Sequence, residues 1–160
     1  MRRIADIAVH DLNGALVLAV EVKSRPSASV EWAARTARNM FAHGVLPDSP
    51  YFMLALPYGF YLWDNRKRPL LTRTAQDDDA PKPDYLIDAA RALAPYLDDS
   101  AYSPLNLSKE GLVLLIEAWL DDLTDSDFTK ETAPSDLRWL FDSGLYAAIK
   151  KGLLTTEAVL

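Results

Sequence analysis

Two short apolar segments near the start of the chain, joined by an Asn-Gly dipeptide, constrain its fold more than any other feature. Residues 4–10 and 15–23 are rich in Val, Ile, Leu and Ala, and Asn13-Gly14 is the dipeptide most favoured in two-residue hairpin turns. The pattern therefore predicts an antiparallel β-hairpin. If this dipeptide forms the centre of the turn, it also sets the register of the two strands.

The predicted register gives the hairpin one apolar face and one polar face. It places His10 opposite Val17 and Asp6 opposite Glu21, and Lys23 follows two positions later on the same face as Glu21. The other face is entirely apolar. Its members are Ala5, Ile7, Val9, Leu18, Val20 and Val22.

The two opposed carboxylates predict a cation site. Directly opposed side chains in such a ladder have Cβ atoms roughly 4.5 to 5.5 Å apart, so ionised Asp6 and Glu21 repel each other unless a positive charge compensates. Mg²⁺ is typically bound by one or two carboxylates together with water and phosphate oxygens. Lys23 is placed to contact a phosphate oxygen. In the alternative interpretation Asp6 is an ordinary surface residue, and Glu21 and Lys23 form a solvated pair near a strand end.

A helix and two further strands are predicted after the hairpin. Pro26 with Ser27 or Ser29 favours a helix start, and apolar residues at helical spacing continue to a stop at Gly44. Arg35 and Arg38 fall on the polar side of this helix, either as phosphate contacts or as an ordinary solvated surface. The apolar runs 51–56 and 60–63 predict two neighbouring strands, the first of them buried on both faces.

The hairpin motif resembles the core of a nuclease superfamily. Ala5-Asp6-Ile7, the Asn-Gly turn and Glu21-Val22-Lys23 together resemble the first hairpin of the PD-(D/E)xK nucleases, which have the restriction-endonuclease-like fold. The resemblance covers roughly residues 3 to 64.

The resemblance implies a function and a set of site residues. Asp6 and Glu21 would ligate Mg²⁺ or Mn²⁺, with a further ligand such as the carbonyl of Val22, and Lys23 would be the catalytic lysine. The implied reaction is metal-dependent hydrolysis of phosphodiester bonds in DNA. The basic residues near the motif would contact the nucleic acid. They are Arg25, Arg35 and Arg38.

The chain departs from the family pattern at three points, which keeps a second hypothesis open. Ala5 replaces the proline that names the motif, and the acid that many members carry on an upstream helix has no counterpart. Some relatives carry Gln and Tyr four residues apart on the helix after the lysine, where this chain has Ala37 and Phe41. The alternative is an inactive nuclease-like fold that acts as a protein-binding, nucleic-acid-binding or assembly module.

The second half of the chain is predicted to be helical. Residues 74–83 have the composition of a linker, and Ser108 and Ser135 are suitable N-caps for two of three helices. An apolar helix face left uncovered would mark a homo-oligomer contact or the docking site of a partner subunit. The three apolar stripes consist of Tyr85, Leu86, Ala89, Leu93 and Leu97; of Leu112, Leu115, Ile116, Trp119 and Leu123; and of Leu137, Leu140, Phe141, Leu145, Ala148 and Ile149.

Length and charge fit one domain with a basic half and an acidic half. The 160 residues, of which 49% are hydrophobic, predict a single α/β domain over 1–160, with a nuclease-like core in 1–73 and a helical extension in 84–160. The expected architecture is a mixed central sheet of about four strands flanked by helices. Residues 1–73 carry ten basic and six acidic side chains, whereas the whole chain has a net charge of −6. No membrane segment is recognised, and a cytoplasmic location is expected.

Overall fold

A mixed β-sheet runs through the part of the chain that the computed structural model describes, which comprises residues 4–25, 28–42, 49–67, 80–97 and 107–159. Its strand order is β5-β4-β3-β2-β1-β6. The β2–β3 pair is parallel and all other neighbours are antiparallel. The strands are β1 (Ile4–His10), β2 (Leu16–Val22), β3 (Tyr51–Ala55), β4 (Gly59–Asp64), β5 (Tyr85–Asp88) and β6 (Leu153–Val159).

The inner part of the first hairpin has the predicted register, but its turn end does not. Ile7 pairs with Val20, as the Asn-Gly turn predicts. His10, however, pairs with Leu16 and not with Val17, because a β-bulge interrupts the ladder near the turn. The extra residue in the bulge shifts the register by one, so that the predicted pairing begins at Val9 and Leu18 and continues to Ile7 and Val20.

The turn itself is one residue longer than predicted, which explains the bulge. The N–H of Gly14 donates to the carbonyl of Asp11 at 3.0 Å, and Gly14 has a φ of 81°. The Asp11 carboxylate accepts hydrogen bonds from the N–H groups of Asn13 and Ala15, both at 2.9 Å. A left-handed Gly that closes a three-residue loop is a common alternative to the two-residue turn.

One long helix covers one face of the sheet. Helix α1 (Val30–Ala42) begins after Ser29, whose Oγ accepts a hydrogen bond from the N–H of Trp32 at 3.0 Å. Its buried side is the predicted apolar stripe, and Phe41 packs edge-on against Phe52 with ring centroids 5.1 Å apart. The predicted helix boundaries at Pro26, Ser27 and Gly44 lie outside the described residues.

Helices from the second half of the chain cover the other face. Trp119 packs against Phe60 of β4, with ring centroids 5.3 Å apart, and a continuous apolar core joins these helices to the inner strands. Burial of each large apolar side chain in such a core contributes about 1.5 to 3 kcal/mol. The helices are α2 (Ala89–Leu93), α3 (Lys109–Asp125), α4 (Arg138–Asp142) and α5 (Leu145–Ile149).

The expected number of about four strands is too low, because the segment predicted to be helical supplies both edge strands. Tyr85 and Leu86 were expected at the start of a helical stripe, but they form β5, in which Tyr85 pairs with Leu62. Four residues are too few to separate the period of a strand from that of the helix that follows. Strand β6 pairs with β1 along its length. None of the helices in the described ranges is long and apolar enough to span a lipid bilayer.

The third predicted helix is broken in two by a turn that contacts the ion pair between Arg66 and the buried Asp64. Asp64 is fully buried and accepts two hydrogen bonds from the Arg66 guanidinium, each at 3.0 Å. Arg66 also donates to the carbonyl of Ser143 at 3.1 Å, and so does the Tyr51 hydroxyl at 2.7 Å. Gly144 follows with a φ of 79° and separates α4 from α5. Arg66 therefore has a structural role.

Gly14 and Gly144 have similar backbone conformations but different surroundings, so substitution of each by Ala tests how tightly the turn between α4 and α5 is packed. A Cβ at Gly144 would lie 2.9 Å from the Tyr51 hydroxyl and 3.0 Å from Arg66, whereas a Cβ at Gly14 would meet nothing within 4 Å. The φ angles are 79° and 81°. We expect Gly14→Ala to lower the free energy of unfolding by about 1 kcal/mol and Gly144→Ala by at least about 2 kcal/mol. Urea denaturation measures both, and equal losses would contradict the described packing.

Candidate functional site

The three residues predicted for the site lie together where β1 begins and β2 ends. Glu21 is 8% exposed, and its carboxylate interacts directly with that of Asp6. Lys23 lies just beyond β2, with its Nζ 3.7 Å from Oε1 of Glu21. The predicted convergence of two carboxylates and an amine on one small region is therefore present.

An irregularity in β1 positions the Asp6 carboxylate. Ala5 packs in the core beneath α1, whereas Ile7 packs in the opposite core, although residues two apart share a face in a regular strand. At this point Oδ2 of Asp6 accepts a hydrogen bond of 2.8 Å from the N–H of Val22. A side-chain oxygen thus satisfies a buried backbone donor of the neighbouring strand, which fixes the carboxylate beside Glu21.

A second lysine, which the sequence analysis missed, completes the cluster. Nζ of Lys109 lies 3.3 Å from Oδ1 of Asp6, so that each carboxylate has its own ammonium group. Lys109 is the first residue of α3, directly after the predicted N-cap Ser108. A positive charge in the first turn of a helix is unfavourable because of the helix dipole. That unfavourable position was the one signal in the sequence that pointed to an acidic partner for Lys109.

The environment of Glu21 disfavours its charged form. Burial, followed by the negative charge of Asp6, raises the pKa of Glu21 to about 7, and a hydrogen bond with Asp6 adds to the increase. The positive charges of Lys23 and Lys109 act in the opposite direction but do not cancel these effects. Near neutral pH the Glu21 carboxyl group is therefore protonated for part of the time.

The donor set fits a hard divalent cation. Two adjacent carboxylates are the kind of oxygen donors that Mg²⁺ and Mn²⁺ bind, together with water and substrate oxygens. In the described ranges no cluster of three or more Asp, Glu, His or Cys side chains could hold a metal ion. The N–H of Val22 binds Asp6, and ligation by its carbonyl stays a prediction.

A cavity adjoins the ion pair of Asp6 and Lys109. It has a volume of about 390 Å³ and lies between the first turns of α3 and Thr156 of β6. Asp6 and Lys109 form part of its wall, together with Glu110, Val113 and Glu117. A hydrated cation or a phosphate group is small enough to enter it.

The three arginines predicted to contact nucleic acid occupy different positions. Arg25 lies close to Lys23 in sequence and stacks over the ring of Trp32, 4.5 Å from its centroid. Arg35 is exposed on α1, and Arg38 donates a hydrogen bond of 2.8 Å to Asn39. Because α1 connects the parallel strands β2 and β3, it leads away from the site, and Arg38 lies about 12 Å along the axis from its first residue.

Comparison of the chain with protein-family models, with curated proteins and with solved structures finds no match in any of the three sets. The functional argument therefore depends on the geometry of the site.

The raised pKa of Glu21 predicts a pH-dependent cost to folding. The folded state binds a proton at Glu21 more tightly than the unfolded state does, so this group stabilises the protein below about pH 4.5 and this contribution is lost as the pH rises to about 7. Glu21→Gln should therefore become more stable than the wild type as the pH rises, by about 2 to 3 kcal/mol at pH 8.

Urea unfolding of both proteins at pH 4.5, 6 and 8 measures this difference. Glu31→Gln, which removes the same charge from an exposed position of α1, corrects for the change in net charge. If the stability difference between Glu21→Gln and the wild type has the same size at all three pH values, the described environment of Glu21 is wrong.

Proposed function

We propose that the protein is a Mg²⁺-dependent or Mn²⁺-dependent nuclease that hydrolyses phosphodiester bonds in DNA. The observation that carries this proposal is the convergence of Asp6, Glu21 and Lys23, in which two carboxylates interact directly and an ammonium group lies beside Glu21. The resemblance of these residues to the PD-(D/E)xK motif supports the same function. We also propose that the protein has the restriction-endonuclease-like fold and that it is located in the cytoplasm.

The residues of the cluster have separate roles in the proposed reaction. Asp6 and Glu21 hold the cation, and the hydrogen bond from Val22 keeps the Asp6 carboxylate in position. A bound Mg²⁺ acidifies water and stabilises the negative charge that develops on the phosphate. Lys23, whose side chain is 40% exposed, contacts a non-bridging phosphate oxygen through Nζ. Each hydrolysed bond consumes one water and yields a phosphate monoester and a hydroxyl group.

The charge distribution supports DNA as the substrate. The first 73 residues have a net charge of +4, although the whole chain has −6. Arg25 adjoins the carboxylate cluster in sequence, and Arg35 and Arg38 extend positive charge along α1. Such residues position a nucleic-acid backbone without reading its sequence.

The alternative function is that of a binding or assembly module without catalytic activity. The ion pair between Lys109 and Asp6 favours this alternative, because it neutralises a carboxylate that a cation would otherwise use. Exposed Leu114 on α3 and Leu153 on the edge strand β6 offer apolar contacts for a second copy of the chain or a partner subunit. Metal-dependent cleavage distinguishes the two functions.

A cleavage assay with site variants tests the proposed nuclease. Plasmid, linear duplex and single-stranded DNA are incubated with the protein and Mg²⁺ or Mn²⁺, and the products are separated by electrophoresis. We expect Glu21→Gln and Lys23→Ala each to lower the cleavage rate by about 100-fold or more, since each removes a charge at the reacting phosphate. Lys130→Met, which changes the charge in the loop after α3, should retain wild-type activity.

Two results would contradict the nuclease proposal. Cleavage that survives both substitutions would come from another site or a contaminant. An absence of cleavage by the wild type with every DNA and both metals, while the protein remains folded, would favour the binding module.

The salt dependence of DNA binding tests the proposed contacts. In the Glu21→Gln background, in which cleavage is expected to be slow, binding to a labelled duplex is followed by fluorescence anisotropy over a series of KCl concentrations. Each of Arg25→Gln, Arg35→Gln and Arg38→Gln should reduce the slope of log K against log[salt] by about 0.9. Arg138→Gln, an exposed arginine of the acidic half, is the control. A slope that the first three substitutions leave unchanged would exclude these residues from the interface.

A further inference from the structure

The position of Lys109 at the N-terminus of α3 is unfavourable for a positive charge unless a carboxylate lies nearby. It is the first residue of a helix of 17 residues, where the helix dipole repels a positive charge. The Ser108 side chain already caps this helix, accepting a hydrogen bond of 3.0 Å from the N–H of Gly111. Lys109 is therefore not needed to start α3, and its Nζ reaches across to Asp6 at 3.3 Å.

The ammonium group of Lys109 and a divalent cation would both bind the same oxygen atom of Asp6. The structure gives Asp6 one fixed donor, the N–H of Val22 on Oδ2, while Oδ1 faces Lys109. Oδ1 is thus the oxygen of Asp6 that remains for a cation. A cation bound there would lie within a few ångströms of the ammonium nitrogen and would repel it, because the partly buried site screens charges less than bulk water does.

We propose that Lys109 is a built-in counter-ion that competes with the divalent cation for Oδ1 of Asp6. This inference rests on the proposed metal-dependent function and adds a fourth residue, from the second half of the chain, to the site. Cation binding then requires Nζ of Lys109 to leave the carboxylate. The 42% exposure of the lysine side chain and the adjoining cavity leave room for that movement.

Direct measurement of Mn²⁺ binding tests the competition without relying on enzymatic activity. Free Mn²⁺ is followed by electron paramagnetic resonance as it is titrated into the protein without DNA, at pH 8.5 to limit competition from protons. We expect Lys109→Met to bind Mn²⁺ about fivefold more tightly than the wild type, the effect of removing one partly exposed ion pair. Lys109→Arg keeps the charge and should stay within about twofold of the wild type.

Lys130→Met is the matched control for this titration. It removes the same charge from an ion pair with Asp142, with Nζ and Oδ1 3.6 Å apart, beyond the opposite end of α3. Its Mn²⁺ affinity should equal that of the wild type. Equal gains in Lys109→Met and Lys130→Met would mean that net charge alone sets the affinity, and would overturn the inference.

A second measurement uses the wild-type protein and does not depend on the folding of a variant. Reductive methylation with formaldehyde and a borane, read by peptide mass spectrometry, reports the accessibility of each lysine amine. Addition of Mn²⁺ should accelerate the modification of Lys109 relative to Lys130, because the cation releases its Nζ. An unchanged or slower rate at saturating Mn²⁺ would overturn the inference.

The outcomes separate this inference from the proposed function. Mn²⁺ binding by the wild type that Lys109→Met leaves unchanged or weakens would refute the competition and leave the metal site intact. If neither the wild type nor Lys109→Met binds millimolar Mn²⁺, the metal-dependent function itself fails. If only Lys109→Met binds Mn²⁺, Lys109 closes the site in the isolated protein, and the inference holds in its strongest form.

Discussion

The backbone of the first hairpin forces two carboxylates into contact, and much of the structure around them compensates for that contact. Asp6 and Glu21 meet where β1 begins and β2 ends, just beyond the paired residues Ile7 and Val20. Their repulsion and the burial of Glu21 oppose folding, since both favour a protonated carboxyl over a charged one. A backbone N–H and two lysines supply the compensation, and one of these lysines comes from a helix more than eighty residues away in sequence.

The topology of the sheet places this cluster at the ends of two inner strands. The parallel pair of β2 and β3 requires a crossover, which α1 provides, and α1 begins shortly after the chain passes Lys23. Strand β6 pairs with the other side of β1 and places Thr156 beside the cavity. The hairpin is thus held on both sides, by β3 and by β6, while Asp6 lines the cavity. Rigid strands carry the acidic groups, and the second lysine enters from a helix terminus.

The sequence predicts those parts of the fold in which the local pattern and the tertiary contacts agree. The pairing of Ile7 with Val20, the buried strand β3 and the apolar stripe of α1 all follow from periodicity and turn residues. The bulge and the longer turn were not predictable, because a three-residue loop with a left-handed glycine fits the same letters as a two-residue turn. Strand β5 is too short for its period to be recognised, and Gly144 breaks a helix whose apolar stripe continues across it.

The candidate site could be predicted only as far as it is local in sequence. Asp6, Glu21 and Lys23 lie on one hairpin, so strand pairing predicts their proximity, but it does not predict the hydrogen bond from the N–H of Val22 to Asp6. Lys109 reaches Asp6 through the packing of α3 on the sheet, and no pattern near either residue encodes that distance.

With both carboxylates ionised, the positive charges of Lys23 and Lys109 make the cluster electrically neutral without a metal ion. A divalent cation alone would therefore leave an excess of positive charge, which a phosphodiester would reduce. Under the proposed function, metal and DNA should consequently strengthen each other's binding, because each supplies the charge that the other lacks.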